Sequence, residues 1–129
     1  MIHRVRAEFL AVAAVLGLLS GVAGAAPGGP ARDEIEHLLT FVGASACTFV
    51  RNGTEYPSDK AREHLAAKYQ VAGSRIATAE AFIESLAMQS SVSGEIYRVK
   101  CSGNVAPTGL WLTDELRRYR TTTHPQAVQ

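Results

Sequence analysis

The chain has 129 residues, 47% of them hydrophobic, and carries 13 Lys and Arg against 12 Asp and Glu, which leaves room for one small domain. A formal net charge of +1 provides no cation excess to drive binding to nucleic acid or anionic lipid by counterion release, so neither is expected as a partner. There is no C-x-x-C redox motif and no zinc-type His–Cys spacing, so no metal or other cofactor is expected.

Arg4 and Arg6 precede an apolar run from Phe9 to Leu19, and Ala23-Gly24-Ala25 supplies the small residues that a signal peptidase accepts. Residues 1–25 are therefore expected to be an export signal cleaved after Ala25, because the apolar run falls short of the roughly 20 residues that cross a bilayer core. No stable membrane span is expected after cleavage, and the expected location is periplasmic or secreted. Loss of Arg4, Arg6 and Glu8 with the signal leaves eleven Lys and Arg against eleven Asp and Glu. In an oxidising compartment Cys47 and Cys101 are expected to form a disulfide, which in the chain-entropy account stabilises the fold by roughly 4 kcal/mol.

Residues 26–32 read as a flexible leader of Ala, Pro, Gly and Arg, and the domain is expected over residues 33–120. Ile35, Leu38, Leu39 and Val42 recur at helical spacing, and Gly43 is expected to end or weaken this first helix. Thr48 to Arg51 and Thr54 to Tyr56 are β-prone and flank Asn52-Gly53, a pair suited to the positive φ angles of a type I′ hairpin turn. Pro57-Ser58-Asp59 closes the hairpin and opens a second helix, with Ser58 as its expected N-cap and Ala61, Leu65 and Tyr69 as its apolar stripe. His64 and Lys68 run beside that stripe, one turn apart.

Gly73-Ser74 breaks the second helix, and Thr78 is expected to cap a third in which Ala79, Phe82, Ile83, Leu86 and Ala87 share one face. A polar loop, Gln89 to Gly94, leads to a strand over Glu95 to Cys101 with Tyr97, Val99 and Cys101 on its inner face. Gly103 to Gly109 reads as a turn-rich connection to a last helix through Leu112, Leu116 and Tyr119, flanked by Trp111. Arg117, Arg118 and Arg120 complement the negative end of that helix. Residues 121–129 are expected to be a disordered tail. The expected fold class is α+β, in the order α-β-β-α-α-β-α, with a three-stranded antiparallel sheet and no internal repeat.

No G-x-S-x-G elbow, HExxH helix, P-loop, GxGxxG fingerprint or EF-hand loop occurs, so no catalytic residue is assigned. Binding candidates are Arg51, which ends a strand before the turn, His64 and Lys68 on one helical edge, and Ser90 and Ser91 in the polar loop. Together they offer donors suited to an anionic or carbonyl-bearing ligand. The competing structural reading solvates Arg51 and Lys68 or pairs them with Glu55 and Glu63, and leaves the serines to cap the third helix.

Phe49-Val50-Arg51-Asn52-Gly53, His64-Leu65 with Lys68, Thr78-Ala79-Glu80 with Phe82-Ile83, and Ser90-Ser91 with Ser93-Gly94 and Tyr97 occur in this order. Over about Glu34 to Tyr119 the chain resembles the YfeK-like family of small exported bacterial proteins, which carry a domain of unknown function. The resemblance implies no activity, ligand or partner, and not all members have the cysteine pair, which makes the disulfide an added staple here. The expected function is a non-catalytic binding or protein-interaction module of the bacterial envelope, with an envelope protein or a small ligand as its partner. The alternative is a small hydrolase that pairs His64 with a serine of the Ser90–Ser93 loop.

Overall fold

A computed structural model of the chain describes Gly17 and residues 28–128, so the expected export signal lies outside the described residues apart from Gly17. Asn52 and Gly53 take φ angles of 51° and 75°, and the positive pair turns β1 (Thr48–Arg51) back onto β2 (Thr54–Pro57) in an antiparallel hairpin. The same event recurs later in the chain. Ser102 and Gly103, at 49° and 82°, join β3 (Arg98–Cys101) to β4 (Asn104–Pro107).

Among the described residues the sheet therefore has four strands in the order β2-β1-β3-β4, where the sequence suggests three. The strand missing from that reading is β4, which lies in the segment taken for a turn-rich connection. Its Asn, Ala and Pro are poor strand formers, but β4 is an edge strand with Pro107 as its last residue, the setting in which proline is tolerated.

Each hairpin runs directly into a helix whose N-cap is the proline ending the second strand. α2 (Ser58–Ala72) follows Pro57, and α4 (Thr108–Thr123) follows Pro107. Ser58 is thus the first helical residue and not the cap, and its hydroxyl donates to the Gly43 carbonyl instead, at 3.2 Å. β1, its turn, β2 and the start of α2 map onto β3, its turn, β4 and the start of α4 with a constant offset of 50 residues. Across the sheet centre Phe49 faces Val99, flanked by Thr48 opposite Lys100 and Val50 opposite Arg98. Adding 50 to one member of each flanking pair and subtracting 50 from the other exchanges the two pairs, so a pseudo-twofold axis passes through the Phe49–Val99 pair.

α1 (Pro30–Ala44) starts three residues before the expected domain boundary, with Pro30 at a position where its missing N–H costs nothing, and runs past Gly43. α3 (Ala79–Phe82) is capped by Thr78, whose Oγ1 accepts from Ala81 N at 3.0 Å, and continues into a π-helical turn (Ile83–Ala87). α4 extends to Thr123 and a 3₁₀ turn spans Pro125–Val128, within the stretch that the sequence reads as a tail. Arg120 ties three helices together through Glu34 of α1, at 3.0 Å, and Glu80 of α3, which holds the Glu80 carboxyl below its usual range. Arg117 and Arg118 pair with Asp114 and Glu115.

Helical side chains including Ile35, Leu38, Leu65, Phe82, Leu86 and Leu112 join Phe49 and Val99 in one buried cluster. The helices thus cover one face of the sheet, while Glu55, Arg98, Lys100 and Val105 are exposed on the other. Among the described residues no helix is long and apolar enough to cross a membrane.

The β1–β3 register places Cys47 opposite Cys101, and the two are bonded with their α-carbons 4.8 Å apart. The bridge closes a loop of 54 residues that contains β1, β2, α2 and α3. Replacing both cysteines by alanine should lower the unfolding free energy by roughly 4 kcal/mol in urea denaturation, whereas a loss below about 1 kcal/mol would show that the staple does not constrain the unfolded chain.

Candidate functional site

The pseudo-twofold axis relates the Cys47–Cys101 pair to the positions of Tyr97 and Arg51, just beyond the other end of the β1–β3 ladder. One end of the central strand pair is closed by the disulfide. The other opens into a cavity of about 560 Å³ between the first hairpin and α2, lined by residues that include Phe49, Arg51, Tyr56, Ala61, His64, Leu65, Tyr97 and Thr108. The offset of 50 residues explains the asymmetry. Trp111 stands at the position related to Ala61, and its ring packs on Phe41 and Phe49 at 4.4 and 5.7 Å between centroids. An indole fills the α4 side, and a single methyl group leaves the α2 side open.

The polar groups of the cavity are held by the elements that carry them. Arg51 ends β1, with one guanidinium nitrogen 3.1 Å from both ring nitrogens of His64 and the other donating to the Tyr56 hydroxyl at 3.3 Å. The cation also lies 5.1 Å from the centroid of the Tyr56 ring. Lys68, one turn beyond His64, donates to the Leu86 carbonyl in the π-helical turn at 2.8 Å and to the Tyr97 hydroxyl at 3.3 Å. His64 Nε2 is 3.4 Å from the same hydroxyl. Nδ1 accepting from Arg51 and Nε2–H donating to Tyr97 is the neutral tautomer that satisfies both neighbours.

Burial disfavours the charged imidazole of His64, and the Arg51 and Lys68 cations repel it further, so its pKa lies below the ordinary 6.5. Neither Arg51 nor Lys68 has a carboxylate within 4 Å among the described residues. Glu55 and Glu63, the partners offered by the structural reading of the sequence, pair with Lys100 and Lys60 instead. Thr108 lines the cavity, is only 2% exposed, and its hydroxyl has no hydrogen-bond partner among the described residues.

Of the residues singled out in the sequence, Arg51 and His64 line the cavity together, and Lys68 stands behind its wall, joined to it through the Tyr97 hydroxyl. The two serines do not line the cavity. Ser90 is buried, and its Oγ accepts from Asn52 Nδ2 and from the backbone N–H groups of Val92 and Ser93, each at 3.3 Å. Ser93 donates to the Asn52 side-chain carbonyl, so the loop is fastened to the hairpin turn. Ser91 is exposed. No serine is hydrogen-bonded to His64 among the described residues, where His64 instead meets Arg51 and Tyr97. Sequence reasoning did not assign Tyr56, Tyr97 or Thr108 to the site. The facing of Phe49 with Tyr56 in the β1–β2 register is the signal that puts Tyr56 on the inner face. No group of His, Cys, Asp and Glu suited to a metal ion occurs among the described residues.

A family model described as a family of unknown function, DUF5329, matches residues 30–120. The uncharacterized protein YfeK of Salmonella typhimurium is 45% identical over 50 residues, which is 39% of this chain and 42% of that protein, so the match spans less than half of the relative. No solved structure matches.

The environment of His64 predicts its titration. By NMR its imidazole should titrate below 6.5, and Arg51→Gln should raise that value by removing one of the repelling cations. A depressed folded-state pKa means that the unfolded chain takes up the proton first, so the share of stability due to His64 is complete above pH 6.5 and is lost as pH falls through the folded value. A His64 value above 6.5 would contradict the cationic setting.

Proposed function

Because the chain belongs to DUF5329, a family of unknown function, membership brings no activity with it, and we propose that the protein is an exported, non-catalytic module that binds a small ligand in the cavity between its first hairpin and α2. The observation that carries the proposal is the cavity itself. At about 560 Å³ it falls in the range of small-molecule sites, and apolar walls surround a few convergent polar groups. Binding is favoured over hydrolysis because the Ser90 hydroxyl is engaged by Asn52 and its own loop, and His64 by Arg51 and Tyr97. The cross-strand disulfide and the charged, then apolar, start of the sequence support an oxidising location, periplasmic or secreted.

Ala61→Trp places the residue found at the related position of α4 into the cavity. In an NMR screen with neutral and charged fragments, binders should shift the amides of Arg51, Tyr56, Ala61 and Tyr97 in the parent protein and lose these shifts in Ala61→Trp, with the melting temperature little changed. Ala61→Phe gives the same reading should the tryptophan variant unfold. Fragments that cluster elsewhere, or that bind the filled variants unchanged, would overturn the proposal.

A further inference from the structure

The hydrogen-bond inventory of the cavity is one-sided. Tyr56 and Tyr97 each use their oxygen to accept, the first from Arg51 and the second from Lys68 and His64, which leaves both O–H groups to donate. The one acceptor nitrogen of neutral His64 is taken by Arg51. Thr108 adds a buried hydroxyl with no partner among the described residues. A lining cation without a carboxylate partner, Arg51, a second one behind Tyr97, Lys68, and hydroxyls whose oxygens are already engaged call for a ligand that only accepts and carries negative charge. The acid that does line the cavity, Glu63, is tied to Lys60 at 3.2 Å on an exposed rim.

Resting on the reading of this cavity as a binding site, we propose that the ligand is an amphiphilic anion, with one carboxylate or phosphate head held at Arg51, Tyr56 and Tyr97, the last backed by Lys68, and an apolar body laid against Phe49, Ala61 and Leu65. The head would meet the partly buried guanidinium and the two tyrosine hydroxyls through charge-assisted hydrogen bonds. The apolar walls set a requirement of their own. A bare inorganic anion leaves them wet, and an uncharged amphiphile leaves the cations without a counter-charge.

Calorimetric titration of the oxidised protein with octanoate, octyl phosphate, octanol, octyltrimethylammonium, acetate and inorganic phosphate tests this. Octanoate or octyl phosphate should bind, and whichever is tighter identifies the head group. Octanol and acetate should each bind at least roughly tenfold more weakly, as loss of a charged hydrogen bond or of apolar burial implies. Arg51→Gln should weaken the anionic probe by a similar factor and octanol by less. Octanol or octyltrimethylammonium binding as tightly as octanoate, and blocked by Ala61→Trp, would overturn the anion assignment and leave the binding cavity standing. Binding of inorganic phosphate alone would overturn the amphiphile, and binding of no probe would count against both readings.

Discussion

The antiparallel pairing of β1 with β3 about Phe49 and Val99 sets everything else in place. It joins two hairpins that are otherwise local structures, and a lone two-stranded hairpin is marginal in water, so the four-stranded sheet exists because this one interface holds. It puts Phe49 and Val99 under the helices, where they share one buried cluster with α1, α2, α3 and α4. It also fixes two cross-strand positions at its ends, the disulfide at one and the Arg51–Tyr97 cavity at the other. A slip of one residue would turn the slipped strand's Phe49 or Val99 to solvent and separate both pairs, so burial of the inner face and the cysteine bond enforce the same register.

The cavity exists because the two halves depart from their shared plan. Ala61 replaces the large ring that Trp111 supplies on the other side, and Arg51 stands at the position corresponding to Cys101. Leaving a cation partly buried without a carboxylate is unfavourable, and the protein reduces the cost by holding His64 neutral, by laying the Arg51 guanidinium near the Tyr56 ring and by giving Lys68 the Leu86 carbonyl. These contacts orient the charges without neutralising them. Elsewhere the chain pairs the partly buried Arg120 with two carboxylates, and the other cations without a carboxylate partner among the described residues, Arg32, Arg62, Arg75 and Arg98, are exposed, so Arg51 and Lys68 differ in being partly buried and unpaired.

Local chemistry made much of this legible in the sequence. Asn52-Gly53 encoded its hairpin, Thr78 its cap, and the spacing of Ile35, Leu38, Leu39 and Val42 a buried helical face, because each depends on residues within one turn of one another. The second hairpin was hidden because Ser102 is not a residue that favours positive φ and β4 is short, edge-placed and proline-ended. The repeat was hidden because what the halves share is a pattern of turn and proline, with little identity between them. At the candidate site, Arg51, His64 and Lys68 could be proposed from strand end and helical spacing. Tyr97 required the β1–β3 register, and Thr108 required the unseen fourth strand. The polar composition of the Ser90–Gly94 loop suggested a ligand loop, but Ser90 spends its hydroxyl on the loop's own backbone and on Asn52.

The central claim is that the open end of the β1–β3 pair holds a persistent, uncompensated positive charge. A crystal structure of the oxidised protein from bromide-soaked crystals measures this directly, since anomalous scattering locates the halide without a choice of ligand. The account predicts a leading bromide peak within about 4 Å of the Arg51 guanidinium, between it and the Tyr97 hydroxyl, the reach of a direct ionic contact. Bromide confined to other surfaces, with the Glu63 carboxylate turned inward onto Arg51 or Lys68, would contradict it.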